Sequence, residues 1–144
     1  MIKKPELLAP AGDLEKLKIA ALYGADAVYF GGELFSLRAG AGNMSLAEMT
    51  EGIEPLRDYL NKIKDLDLDA FIVSDPGVIT MIQEIVPQAE IHLSTQANMT
   101  NYETAKFWHR MGVKRIVLAR ELTFEEIREI RRQTPETLEF EAFV

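Results

Sequence analysis

The chain has 144 residues and a net charge of −7, with 47% hydrophobic and 27% charged residues, a balance that is ordinary for a soluble globular protein and argues against disorder. It has no cysteine, which excludes a disulfide or a thiolate-held metal on this chain, and its only histidines, His92 and His109, lack ligand-like neighbours, so no metal site is expected. The acidic balance argues against gripping a phosphate backbone by bulk electrostatics, while leaving room for a local basic site. No apolar run nears the ~20 residues of a membrane span, and Met1-Ile2-Lys3-Lys4-Pro5 carries no apolar signal stretch, so a cytoplasmic protein without membrane contact is expected.

Glu6-Leu7-Leu8-Ala9-Pro10 reads as a strand that breaks at Gly12, and Asp13 as the N-cap of a helix reaching about Tyr23, with Leu14, Leu17, Ala21 and Leu22 on one side. Gly24 ends that helix, and Asp26 to Phe30 is a second strand. Gly31-Gly32 and a glycine-rich loop containing Arg38 follow, before Ser45 and Glu48 form a capping box. The helical pattern then runs from Leu46 to about Leu66, with a kink or a new first turn expected at Pro55.

Ala70 to Val73 is the next strand, with Asp75 as N-cap and Pro76 at the first position of the helix after it. Ile91-His92-Leu93 is followed by the polar Ser94-Thr95-Gln96-Ala97-Asn98. Thr100 with Glu103 then caps a helix that closes at Gly112. Ile116 to Ala119 leads into Arg120-Glu121, and Thr123 with Glu126 makes a further capping box for a helix to about Gln133. Leu138 to Val144 is strand-like.

The apolar runs starting at Leu7, Ala27, Ala70, Ile91, Ile116 and Phe140 lie 20, 43, 21, 25 and 24 residues apart. Four intervals hold one strand and one helix, whereas the longest equals about two units with the middle strand left out. The repeat predicts an α/β protein with a parallel sheet in one domain, residues 1–144, with ligands at the carboxyl ends of the strands. A complete barrel of this kind needs roughly 250 residues.

The strand ends supply the candidate site. Asp13 and Asp75 are accounted for by capping first. Ser94, Thr95, Gln96 and Asn98 offer four hydrogen-bonding side chains in five positions, more than one cap requires, and so could position a polar ligand. No histidine is placed to activate Ser94 as a nucleophile, and His92 falls within a strand as a packed, hydrogen-bonded residue. Arg120-Glu121 reads as a local ion pair, or Arg120 as a buried fork for a carboxylate or phosphate. Arg38, beside Gly40-Ala41-Gly42, is a second anion candidate. Lys114-Arg115, Arg128, Arg131 and Arg132 read as solvated faces, and Phe107 and Trp108 as core-spaced residues rather than base-stacking ones.

Four segments together carry a resemblance: Glu6-Leu-Leu-Ala-Pro-Ala-Gly12, Tyr23-Gly-Ala-Asp-Ala-Val-Tyr-Phe-Gly-Gly32, Asp69-Ala-Phe-Ile-Val-Ser-Asp-Pro-Gly77 and His92-Leu-Ser-Thr-Gln-Ala-Asn98. In this order they resemble the collagenase-like peptidases of the U-thirty-two family. The resemblance implies an incomplete TIM-like (β/α) barrel in which one strand unit is missing between Glu54 and Pro55. Glu141-Ala142-Phe143 is similar to the opening of the family's signature, whose cysteines would come after Val144, so the resemblance implies a chain truncated before that segment.

In intact relatives it implies an iron-sulfur cluster held by those cysteines, and none on this chain. It also implies oxygen-independent hydroxylation of a tRNA uridine or a ribosomal RNA cytidine. RNA is then the expected partner, with Glu141 supporting the start of the missing segment. The alternatives are a metal-dependent collagenase-like peptidase, and an inactive scaffold that assembles as a homo-oligomer through open strand edges.

Overall fold

The computed structural model describes residues 4–29 and 46–144, with the backbone alone at 46–52. Phe30, the Gly31-Gly32 pair, Arg38 with its glycine-rich loop, and the Ser45 and Glu48 side chains lie outside the described residues. The chain divides into two compact units, Met1–Glu51 and Gly52–Val144.

In the first unit, β1 (Leu8–Pro10) and β2 (Ala27–Tyr29) pair in parallel, with Leu8 opposite Ala27. The pairing extends past β1 through the Ala11 amide, which donates to the Tyr29 carbonyl at 2.8 Å. Between them runs α1 (Leu14–Leu22), which starts where Asp13 accepts the Lys16 amide at 2.8 Å and ends before Gly24, at φ 87°. Its predicted apolar side is not a buried one: no residue of α1 is buried, and Leu14 and Leu22 are largely exposed.

The helix α2 (Leu46–Ile63) crosses the boundary in sequence between the two units and is continuous through Pro55, with no new first turn there. Proline has no amide hydrogen, so the Glu51 carbonyl one turn earlier loses its helical donor at the boundary between the units. The C-terminal half of α2 belongs to the second unit, where Leu60 is buried and Leu56 and Ile63 pack against the core.

The second unit alternates strands and helices: β3 (Ala70–Val73), α3 (Pro76–Ile85), β4 (Glu90–Leu93), α4 (Tyr102–Arg110), β5 (Val113–Val117), α5 (Phe124–Gln133) and β6 (Glu139–Glu141). The strands form one parallel sheet in the order β3-β4-β5-β6, so each crossover joins neighbours. This is the α/β architecture that the spacing predicts. β5 begins three residues earlier than the apolar run does, because Lys114 and Arg115 are part of the strand.

Side chains alternate across the sheet. Phe71, Val73, Ile91, Leu93, Ile116, Leu118 and Phe140 join Ile79 and Ile82 of α3, Ala105 and Trp108 of α4, and Ile130 of α5 in one core. The intervening positions Ile72, His92, Arg115 and Glu139 stand opposite one another in register and point to the other face. One face of the sheet is thus a hydrophobic floor for the helices, and the other carries a row that is apolar at Ile72 and polar at His92, Arg115 and Glu139.

Candidate functional site

Because the four strands are parallel and in register, their carboxyl ends form a common edge. The Ser94 amide donates to the Val73 carbonyl at 2.8 Å, and the Leu118 amide to the Glu141 carbonyl at 2.8 Å. Ser74-Asp75, Ser94 to Asn98, Arg120-Glu121 and Ala142-Phe143 follow strands at that edge, and Glu141 ends β6 there. This is the end at which parallel α/β sheets bind ligands.

Asp75 is absorbed by structure. Its carboxylate accepts the Val78 amide at 2.9 Å and caps α3, with Pro76 in the first turn as expected. Asp13 does the same for α1, and the Lys16 ammonium, 2.6 Å from it, together with the Lys16 amide, holds its carboxyl below the usual carboxylate range.

The Ser94 to Asn98 segment folds into a single 3-10 turn, Thr95–Ala97. Ser94 Oγ accepts the Gln96 amide at 3.3 Å, and Asn98 closes the turn in the left-handed region at φ 52°, ψ 45°. Asparagine tolerates that backbone better than other residues with a Cβ. Ser94 and Asn98 therefore have local work, while the side chains of Thr95 and Gln96 are not used in capping the turn. Gln96 is exposed.

Arg120 is exposed rather than buried, and it makes no ion pair with Glu121. Its guanidinium lies over the Phe143 ring, 4.5 Å from the centroid. Arg131, expected on a solvated face, is instead a structural clamp. It donates to the Leu138 carbonyl at 2.6 Å, the Thr134 carbonyl at 3.2 Å and the Pro135 carbonyl, and lies 4.9 Å from the Phe140 centroid. It ties the end of α5 to the strand that delivers Glu141, which is half-buried.

Arg115 is likewise no solvated charge. Its Nε and Nη2 both donate to Glu139 Oε2, at 2.9 and 2.7 Å, across the β5-β6 pair. His92 is 8% exposed and stands beside Arg115 in register, with Nε2 3.5 Å from Glu90 Oε2. Burial, and then the nearby Arg115 charge, hold its pKa below the ordinary histidine value, against the pull of Glu90 and Glu139.

Thr100 does not cap α4 as expected. Asn101 does, accepting the Thr104 amide at 2.9 Å, while Glu103 pairs with Lys106 at 3.1 Å. The Thr123-Glu126 capping box forms as expected. Of the two aromatics spaced for the core, Trp108 is buried and Phe107 is 46% exposed.

The pocket between the starts of α4 and α5, lined by Thr100, Asn101, Tyr102, Glu126, Glu129 and Ile130, holds about 230 Å³. It falls below the ~300 Å³ at which ligand sites begin, and its acidic lining repels anions. Among the described residues no group of three or more His, Asp or Glu side chains could hold a metal ion. With no cysteine in the chain, a thiolate-held iron-sulfur cluster finds no ligand here. No helix among the described residues is long and apolar enough to cross a membrane.

Comparison with known proteins gives this geometry its context. The chain is 41% identical to the tRNA hydroxylation protein P1 of Bacillus subtilis over 99% of its own length, covering 39% of that relative. It is 38% identical to an uncharacterized protease of Methanocaldococcus jannaschii over its full length, covering 41% of the relative, and 35% identical to a 23S rRNA 5-hydroxycytidine synthase of Escherichia coli over 94%, covering 24%. The chain thus spans about two fifths of the length of the first of these relatives. No solved structure matches it. The model of peptidase family U32 matches residues 12–57 and, separately, 50–144. Matched over nearly all of its length, the chain belongs to peptidase family U32.

Proposed function

We propose that this chain supplies the substrate-facing strand ends of a protein that hydroxylates a nucleobase in tRNA or ribosomal RNA. The observation that carries the reading is the identity of about two residues in five, along nearly the whole chain, with a relative named for tRNA hydroxylation. The carboxyl edge of the second unit is the part of that relationship that faces substrate. Thr95, Gln96 and Arg120 contact the RNA there, and Asp75, Ser94 and Asn98 hold the loops in shape.

The architecture is read as a TIM-like barrel short of one strand-helix unit. The alignment with the Bacillus subtilis relative has 165 positions against 144 residues here, leaving at least 21 residues of the relative without a counterpart. The two family matches overlap at 50–57, the boundary between the compact units falls at Glu51 and Gly52, and Pro55 sits inside α2. These agree with α2 being two family helices joined end to end. The iron-sulfur cluster of the resemblance then takes its ligands from outside these 144 residues, and the protein works where its RNA is, in the cytoplasm.

The test is deletion of the gene followed by mass spectrometry of nucleosides from tRNA and 23S rRNA. Loss of a hydroxylated pyrimidine, restored by the intact gene, is expected. An unchanged nucleoside profile overturns the reading. The peptidase alternative rests on the family's description and on the relative named as a protease; chelator-sensitive cleavage of gelatin by the purified full-length protein would establish it in place of hydroxylation.

A further inference from the structure

Two arginines of the second unit lie against phenylalanine rings near β6, and they are used differently. Arg131, over Phe140, spends its donors on the carbonyls of Thr134, Pro135 and Leu138. Arg120, over Phe143, makes no hydrogen bond or ion pair with any described residue. Its fork of five N–H donors stays open at the carboxyl edge of the sheet. Phe143 is 46% exposed, and Phe124, in the first turn of α5 and so at the same end of the sheet, is 79% exposed.

A planar cation over an aromatic ring, with a second exposed ring at the same sheet end, is chemistry suited to the face of an unpaired base. The local charge argues for the base over the phosphate. Glu121 follows Arg120, Glu125 and Glu126 open α5, and Glu141 precedes Phe143, in a chain of net charge −7. A phosphate would meet this acidic surroundings unfavourably, whereas stacking is indifferent to it.

We infer that Arg120 and Phe143 form a stacking platform for one unpaired pyrimidine of the RNA substrate, the base lying on the guanidinium face turned away from Phe143. The platform rests on the RNA reading above and assigns its contact residues. Arg120 thus acts through its face toward a base, rather than as an anion fork.

Fluorescence anisotropy of the full-length protein with a short fluorescein-labelled oligouridylate tests it. Phe143→Ala and Arg120→Ala each weaken binding about tenfold, Phe143→Trp retains it, and Arg120→Lys fails to restore it because an ammonium lacks the planar stack. The slope of affinity against salt stays at the wild-type value in Phe143→Ala, since no phosphate contact is lost. Unchanged melting temperatures establish that the variants fold. Wild-type binding that both alanine variants keep undiminished overturns the platform alone. Failure of the wild-type protein to bind either the oligouridylate or fluorescein-labelled whole tRNA overturns the platform and the RNA reading together.

Discussion

Replacing Arg131 with methionine keeps a flexible apolar stem against Phe140 and removes the guanidinium fork, so it measures what the clamp between α5 and β6 contributes. The bond to the Leu138 carbonyl, at 2.6 Å beside a fully buried leucine, has the least access to replacement water. Hydrogen bonds to a charged group contribute ~1.5–3 kcal/mol, and this one belongs in that range. The bond to the Thr134 carbonyl is longer, at 3.2 Å, and the Pro135 carbonyl is exposed to replacement water, so these two contribute about 0.5 kcal/mol each. The ring contact adds roughly 0.5–1 kcal/mol. Together the loss is about 3–5 kcal/mol, a large share of the ~5–15 kcal/mol that holds a domain folded. At ~4 °C per kcal/mol for a unit of this size, the melting temperature falls by roughly 12–20 °C. Urea denaturation followed by circular dichroism measures it, and Arg131→Lys, which keeps the charge and loses the fork, should fall between methionine and wild type. A methionine variant within about 0.5 kcal/mol of wild type would refute the clamp and return Arg131 to the solvated face that its sequence context suggests.

Three further outcomes follow from local geometry. Asn101→Ala should cost ~1 kcal/mol in a urea titration while Thr100→Ala costs almost nothing, since only Asn101 caps α4; equal losses would contradict that assignment. Asn98→Gly should leave stability unchanged or slightly raised, and Asn98→Ala should lower it by ~1 kcal/mol, because glycine occupies φ 52° freely. RNA binding lost in the stable glycine variant would show that the Asn98 side chain touches ligand as well. His92 has a folded-state pKa below its unfolded value near ~6.5, so the unfolded chain binds a proton more readily. Stability should therefore be fully present above ~6.5, decline as pH falls through that value, and level off below the depressed folded pKa. His92→Gln should flatten that part of the profile, and an identical slope in the variant would show that His92 is not its source.

The rhythm of the strands was legible because a parallel sheet with helices on one face demands an apolar residue at every other strand position, and Phe71, Val73, Ile91, Leu93, Ile116 and Leu118 supply it. Caps made by a single side chain on the next turn were legible too, as at Asp13, Asp75 and Thr123. What escaped were partners distant in the chain or belonging to the backbone. Lys114 and Arg115 look like a loop, yet Arg115 can lie in a strand because Glu139 on the neighbouring strand neutralises it. Arg131 binds carbonyls, which leave no trace in a pattern of side chains. At Thr100 and Asn101 two caps competed, and the capping-box spacing of Thr100 with Glu103 pointed to the wrong one: the helix starts one residue later, with Asn101 accepting the Thr104 amide. At the candidate site, the edge that gathers Ser94 to Asn98 and Arg120 followed from strand order. The stacking of Arg120 on Phe143 did not, since it requires the ends of β5 and β6 to be neighbours.

Hydrogen exchange of the full-length protein with and without tRNA tests most directly whether the carboxyl edge of the second sheet faces RNA. Protection by tRNA is expected at Ser74-Asp75, Ser94 to Asn98, Leu118 to Glu121 and Glu141 to Phe143, with none in the loops at the amino ends of β4, β5 and β6. Protection confined to those amino-end loops, at Gln88-Ala89, Gly112 and Glu136-Thr137, would contradict the account.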